Sequence, residues 1–299
     1  MGRRSGSGQG RGVQGAMQVT VAAFLDHLDR REKKASRHTV AAYRNDLTQF
    51  LDRLVVHGVT SLEQVSQEHV ADFLHWLQEK DYAVSTVARK VAAVRSFFHF
   101  AVAQGILKDD PSAAVTPPEV KREPPQLLSV AEVERLLQEV RGRSSPKMLR
   151  DWALLALMCA TGVRASELIH LSVASLNLEQ QWVRCGSEVR ERQLPLTAEA
   201  VEALRSYLQR GRPQLVKDAA VTALFVNYRG NPLTRQGLWL IVKKWARTAR
   251  IRSEISPHTL RHSFAARLLD QGVELEELQE RLGHATPATT QVYVQDMEE

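Results

Sequence analysis

Cysteine is almost missing from this chain: Cys159 and Cys185 are the two it has in 299 residues. There is no CxxC pair and no Cys/His cluster at zinc-ligand spacing. Neither a disulfide framework nor a metal site is therefore indicated, and a reducing cytoplasm suits the chain. Long apolar runs are missing as well. The longest clean one, Trp152 to Ala160, is far too short to cross a bilayer and reads as a buried helix, so no membrane partner is expected. The opening stretch MGRRSGSGQGRGVQGAMQ holds no acidic residue and no apolar core of the kind a secretory signal needs. Residues 1–16 are expected to be a disordered basic leader, or to lie upstream of a working start at Met17. A basic arm touching nucleic acid is the functional alternative.

What is present fits a globular protein of two domains. The chain is long enough for two cores, with 43% hydrophobic and 25% charged residues. Forty basic residues against 34 acidic ones give +6. Arg3, Arg4 and Arg11 supply three of those charges, which leaves +3 for the remainder. So modest an excess permits a polyanionic partner, and the placement of the cations matters more than their total.

Helical periodicity runs from Val19 to about Gln104. Val40, Tyr43, Leu47, Phe50, Leu51 and Leu54 recur at three and four behind a possible cap at Ser36, and Val70, Phe73, Leu74 and Leu77 make a second face. Val87, Val91, Val94, Phe97 and Phe98 make a third, behind Ser85. With Val21 to Leu28 this predicts a compact four-helix domain over 17–108, turning at Gly58 and Asp81. Arg89, Lys90 and Arg95 fall on positions read as lying away from the third apolar face. With Arg37 and Arg44 they suggest a shared basic surface that would hold a duplex by its phosphates. Residues 109–126 hold five prolines and read as an interdomain linker.

The second domain, 127–299, opens with a capping-box pattern, Ser129-Val-Ala-Glu132. A buried helix over Met148–Ala160 should stop at Thr161-Gly162, with a short helix following from Val163. Trp182–Cys185 and Arg192–Leu196 read as a hairpin flanking GSEVRE, with Ala223–Val226 as a further short strand. A helix over Thr234–Arg250 carries Lys243, Lys244, Arg247 and Arg250. The fold class is thus mainly α with a small antiparallel β-sheet, in two domains, without solenoid repeats.

Four residues near the end stand out: His258 and Arg261 at the start of a helix opened by Ser256-Pro257, His284 after Gly283, and Tyr293. Arg164 sits just after a glycine turn. Arginines match phosphate oxygens, and a tyrosine can attack phosphorus and hold it covalently. Each has a plainer explanation alone: a surface ion pair, a cap, or half-buried core.

Together, TGVRASEL, HTLRHSFA and LGHATPATTQVY, with the order Arg, His-x-x-Arg, His, Tyr, resemble the tyrosine recombinases, most closely the bacterial Xer type, over the chain from Met17. The resemblance implies a two-domain clamp on double-stranded DNA. Tyr293 would attack the scissile phosphate to give a 3′-phosphotyrosyl link and a free 5′-hydroxyl, with no metal and no cofactor. Arg164, Arg261 and His284 would hold the phosphate while His258 assists proton transfer. Glu167 would buttress Arg164, and Arg190 or Arg192 would contact DNA from the hairpin. Four protomers, of one kind or with a second recombinase, would act on two duplexes in the cytoplasm. Chromosome dimer resolution is the expected task; a mobile-element integrase and a cleavage-impaired DNA-binding relative are the alternatives.

Two departures qualify that pattern. Ser187 stands where the family's hairpin carries the lysine that protonates the leaving oxygen, and no lysine lies between Lys147 and Lys217. Only VQDMEE follows Tyr293, where relatives commonly continue into a helix that docks on a neighbouring subunit.

Overall fold

The computed structural model describes residues 9–30, 37–120, 126–187, 190–284 and 290. The chain divides into two compact units, Met1–Arg122 and Glu123–Glu299.

In the first unit, α1 (Gln9–Arg30), α2 (Arg37–Val56), α3 (Gln67–Glu79) and α4 (Val84–Ala103) enclose an aromatic core. Phe24, Phe50, Phe73, Phe97 and Phe98 are fully buried. Phe50 meets Phe73 and Phe98 edge-on, with ring centroids 5.1 and 5.8 Å apart. Such pairs add about 0.5–1.5 kcal/mol each beyond the area they bury. Gly58 and Asp81 both take positive φ, at 74° and 54°, and end α2 and the α3–α4 turn.

Two expectations are corrected here. The first helix begins at Gln9, so the disorder expected up to residue 16 does not hold from there onward. The helix is anchored by Met17, which is buried, and runs back from that anchor through three glycines despite their poor propensity. Lys90 is not on a basic surface. Its ammonium is buried and donates to Asp46 Oδ1 at 2.9 Å and Gln49 Oε1 at 2.8 Å, tying α4 to α2, and Arg89 also pairs with Asp46. A buried acid on the facing helix turns what reads as a solvated position inward.

The second unit is built around α6 (Pro146–Thr161), capped by Ser145 with Pro146 in its first turn. From Leu149 to Cys159 every residue of α6 is buried, because α5 (Val130–Val140), α8 (Ala198–Ser206) and α11 (Pro257–Asp270) surround it. The Ser129/Glu132 capping box forms, with the hydroxyl accepting from the Glu132 N–H and the carboxylate accepting from the Ser129 N–H. Asp151 accepts from the Arg150 guanidinium and from Trp245 Nε1, pinning α10 (Arg235–Thr248) to α6.

The sheet is β1 (Leu176–Asn177), β2 (Trp182–Ser187) and β3 (Arg190–Pro195), antiparallel in that order. Both hairpin strands extend into the polar stretch expected to be turn. Ala223–Val226 is not a strand of this sheet; its ends form isolated bridges to Ser172 and Pro232. Near the sheet lie α7 (Ala165–Leu168) and α12 (Leu275–Leu282), and α9 (Arg212–Leu215) follows α8 through a π-helical turn. Among the described residues no helix is long and apolar enough to cross a membrane.

Candidate active site

Two glycine-terminated helix ends position the site. Gly162 closes α6 in the left-handed conformation, φ 59°. A Cβ there would lie 2.3 Å from the Phe264 ring, so glycine serves both the turn and the close packing of α11. Gly283 closes α12 in the same way, φ 64°, and a Cβ on it would lie 2.7 Å from Arg192 Nη1 and 3.2 Å from Arg164 Nη1.

The last carbonyls of α12 each receive a different arginine. Arg192 Nε donates to the Arg281 carbonyl at 2.8 Å, Arg261 Nη2 to that of Leu282 at 2.7 Å, and Arg164 Nη2 to that of Gly283 at 2.6 Å. Arg261 Nη1 also donates to the Gly162 carbonyl at 2.7 Å. Helix C-termini have unpaired carbonyls and a partial negative charge, which helps to hold three cations together.

Among the described residues Glu167 supplies a full counter-charge to this cluster. It is the third residue after Arg164, and its carboxylate accepts from the Arg164 N–H at 2.9 Å and from Arg164 Nη1 at 3.2 Å. Arg192 grips the same carboxylate with Nη1 at 2.7 Å and Nη2 at 3.0 Å. Burial alone would raise the Glu167 pKa; the Arg192 hydrogen bonds and the charges of Arg192 and Arg164 outweigh it and hold the group lower. Among the described residues three guanidiniums gather here with one carboxylate, an arrangement that attracts anions.

His284 completes the cluster. Its Nε2 lies 2.9 Å from Arg261 Nη2, and a guanidinium can only donate, so Nε2 accepts. The ring proton is therefore on Nδ1 and is donated to Thr290 Oγ1 at 2.8 Å. Burial, followed by the charges of Arg261, Arg164 and Arg192, pushes the ring's pKa down to about 4, so it is neutral in the free protein.

Open clefts of about 500 and 460 Å³ share Glu191, Arg192 and Gly283; Arg164 and Cys185 line the larger one and His284 the smaller. Burial raises the Cys185 thiol to about 11 and that of Cys159 to about 12, so neither offers a thiolate nucleophile near neutral pH.

The structure thus gathers Arg164, Arg261 and His284, with Glu167 against Arg164. His258 stands exposed in the first turn of α11, its ring 6.5 Å from that of His262. Arg192, expected at DNA, is largely buried and bonded to Glu167 and α12. Nothing in its local sequence shows this, since Glu167 is 25 residues away. Arg44 and Arg95 are exposed. Lys243 pairs with Glu254 at 3.3 Å and lies over Trp239; Lys244 lies over Trp245, 3.6 Å from Asp151. Tyr293 and the side chains of Arg37, Ser187 and Arg190 lie outside the described residues. Among the described residues no acidic, histidine and cysteine side chains group to hold a metal.

A helical unit precedes a mainly α unit that holds this arginine cluster, and the family matches identify the class as a DNA breaking-and-rejoining enzyme. Residues 126–299 match the phage integrase family and 21–105 its N-terminal SAM-like domain. The chain belongs to that family, the tyrosine recombinases, and is of its Xer type. It is 42% identical over 280 residues to tyrosine recombinase XerC of Roseiflexus sp. (strain RS-1), covering 93% of this chain and 89% of that one. To tyrosine recombinase XerD of Halalkalibacterium halodurans it is 39% identical over 269 residues, covering 89% and 90%. The Tn1549 transposon integrase, solved with a circular intermediate DNA, shares the fold at a TM-score of 0.70 and 18% identity, covering 91% of this chain and 94% of that one.

Proposed function

We propose that this site-specific recombinase resolves chromosome dimers by exchanging strands between two DNA duplexes, with four protomers acting together. The observation that carries the chemistry is the convergence of Arg164, Arg261 and His284 on the end of α12, where backbone carbonyls hold both guanidiniums in place. Such a cluster suits a phosphodiester whose negative charge grows as it is attacked.

In this reading the Tyr293 oxygen attacks phosphorus, a phosphotyrosyl bond forms, and the bond to the 5′-oxygen breaks. Arg164 and Arg261 hold the non-bridging oxygens. The arriving anion takes the Arg261 donor that His284 accepts in the free protein. It also offsets the cationic field that keeps the ring's pKa low, so the imidazole becomes able to donate. His258 assists proton transfer at the exposed edge. The 5′-hydroxyl of another strand reverses the step, and the bond energy is conserved throughout. Relatives bearing the names XerC and XerD match almost equally well, which fits a chain that works with its own copies or with a second recombinase.

Ser187, in place of the hairpin lysine, is what favours a second reading, a clamp that binds DNA and cleaves poorly. A nicked suicide duplex carrying the recombination site separates the two. A covalent adduct that forms with the full chain and disappears in Tyr293→Phe supports the enzyme, whereas tight binding without adduct supports the clamp.

A further inference from the structure

We infer that Arg192 is a positioning residue of this reaction, setting Arg164 through two connections, and not a contact to the DNA backbone. The inference rests on the cleavage chemistry proposed above. From β3 the side chain reaches Glu167 of α7 and the end of α12 and is only 11% exposed. Two of its nitrogens grip both oxygens of Glu167, at 2.7 and 3.0 Å, and its Nε donates to the Arg281 carbonyl at 2.8 Å. A planar guanidinium is the side chain able to make this fork and the third bond at once.

The residues it touches are the ones that hold Arg164. Glu167 accepts from the Arg164 backbone and side chain, and the α12 end accepts from Arg164 two residues beyond Arg281, at Gly283. Arg192 therefore locks the carboxylate and the helix end into one frame. Without it, Glu167 is free to turn fully onto Arg164 and draw that guanidinium off the phosphate. Gly283 fits the same frame, since any side chain there would strike both arginines. The buried Arg192–Glu167 pair also ties the sheet to α7, so the position of the hairpin bears on the phosphate site.

The test uses the full chain on a nicked suicide duplex under single turnover, recording the adduct rate at saturating DNA, the Kd and its salt dependence. Arg192→Met should slow adduct formation by about 100-fold, the size of loss that misplacement of about 1 Å brings, with Kd changed less than threefold and the salt slope unchanged. Arg192→Lys, which keeps the charge but not the fork, should lie between Met and wild type. Adding Glu167→Gln to Arg192→Met should recover part of the lost rate, because the side chain set free to draw Arg164 away is then neutral, whereas the α12 connection stays broken. A backbone contact predicts the reverse: weaker binding, a salt slope smaller by about 0.9, and an unchanged rate at saturation. That result overturns the inference, as does a Met variant as fast as wild type. If wild type itself gives no adduct, the cleavage reading fails and the inference with it. If Arg192→Met does not fold, the Lys variant decides, and a rate equal to wild type overturns the inference.

Discussion

A half-buried imidazole beside three arginines is an unusual place for a proton. The unfolded His284 ring titrates near 6.5 and the folded one near 4. Between those values the unfolded chain binds a proton that the folded chain refuses, so stability falls as pH drops through this window and is unaffected by the ring above it. His284→Asn removes that titration. Its unfolding free energy, measured by denaturant at pH 7.5 and pH 5, should fall less steeply on acidification than that of wild type. Identical slopes would mean that the ring is not held neutral. At this scale the sequence displays what is local: Arg164 and Glu167 three apart, or Gly283 beside His284. It hides what is distant. Arg192 and Glu167 find each other through the hairpin, and the carbonyls of Arg281, Leu282 and Gly283 are backbone groups that any residue type could carry.

Helices carry most of the structure, and their ends carry the chemistry. Capping residues at Ser129, Ser145 and Ser256 and left-handed glycines at 162 and 283 set where α5, α6, α11 and α12 start or stop, and those signals are legible in sequence. Which face of a helix turns inward is less so when the buried group is charged. Lys90 lies between Val87 and Val94 on the α4 stripe and is buried because Asp46 of α2 waits for it. Removing one partner of such a pair strands the other without solvent. Asp46→Ala should therefore destabilise the first unit by about 3–5 kcal/mol, read as a shift in its denaturant midpoint. A loss below about 1 kcal/mol, as for surface pairs, would show that Lys90 escapes to water. The second unit should melt as in wild type, because its core cluster is separate.

Taken whole, the molecule carries only +6, with an isoelectric point near 9.5, too little to explain tight hold on a polyanion by net charge. Several of its cations are already neutralised in place: Lys90 and Arg89 on Asp46, Arg150 on Asp151, Arg192 on Glu167. We propose that the attraction to DNA comes from side chains left facing solvent, such as the exposed Arg44 on α2 and Arg95 on α4. This separates two kinds of arginine that composition counts alike. Those facing solvent would release counterions on binding and set affinity, whereas those at the α12 end would act on the bound phosphate and set rate. Replacing Arg44 and Arg95 together by Ala should reduce the slope of log K against log salt by about 2, near 0.9 for each phosphate no longer neutralised. The adduct rate at saturating duplex should stay within twofold of wild type. An unchanged slope would place the backbone-holding surface elsewhere on the protein. A lower rate at saturation would mean that these arginines do more than hold the duplex, because a group that only adds affinity has no effect once every site is filled.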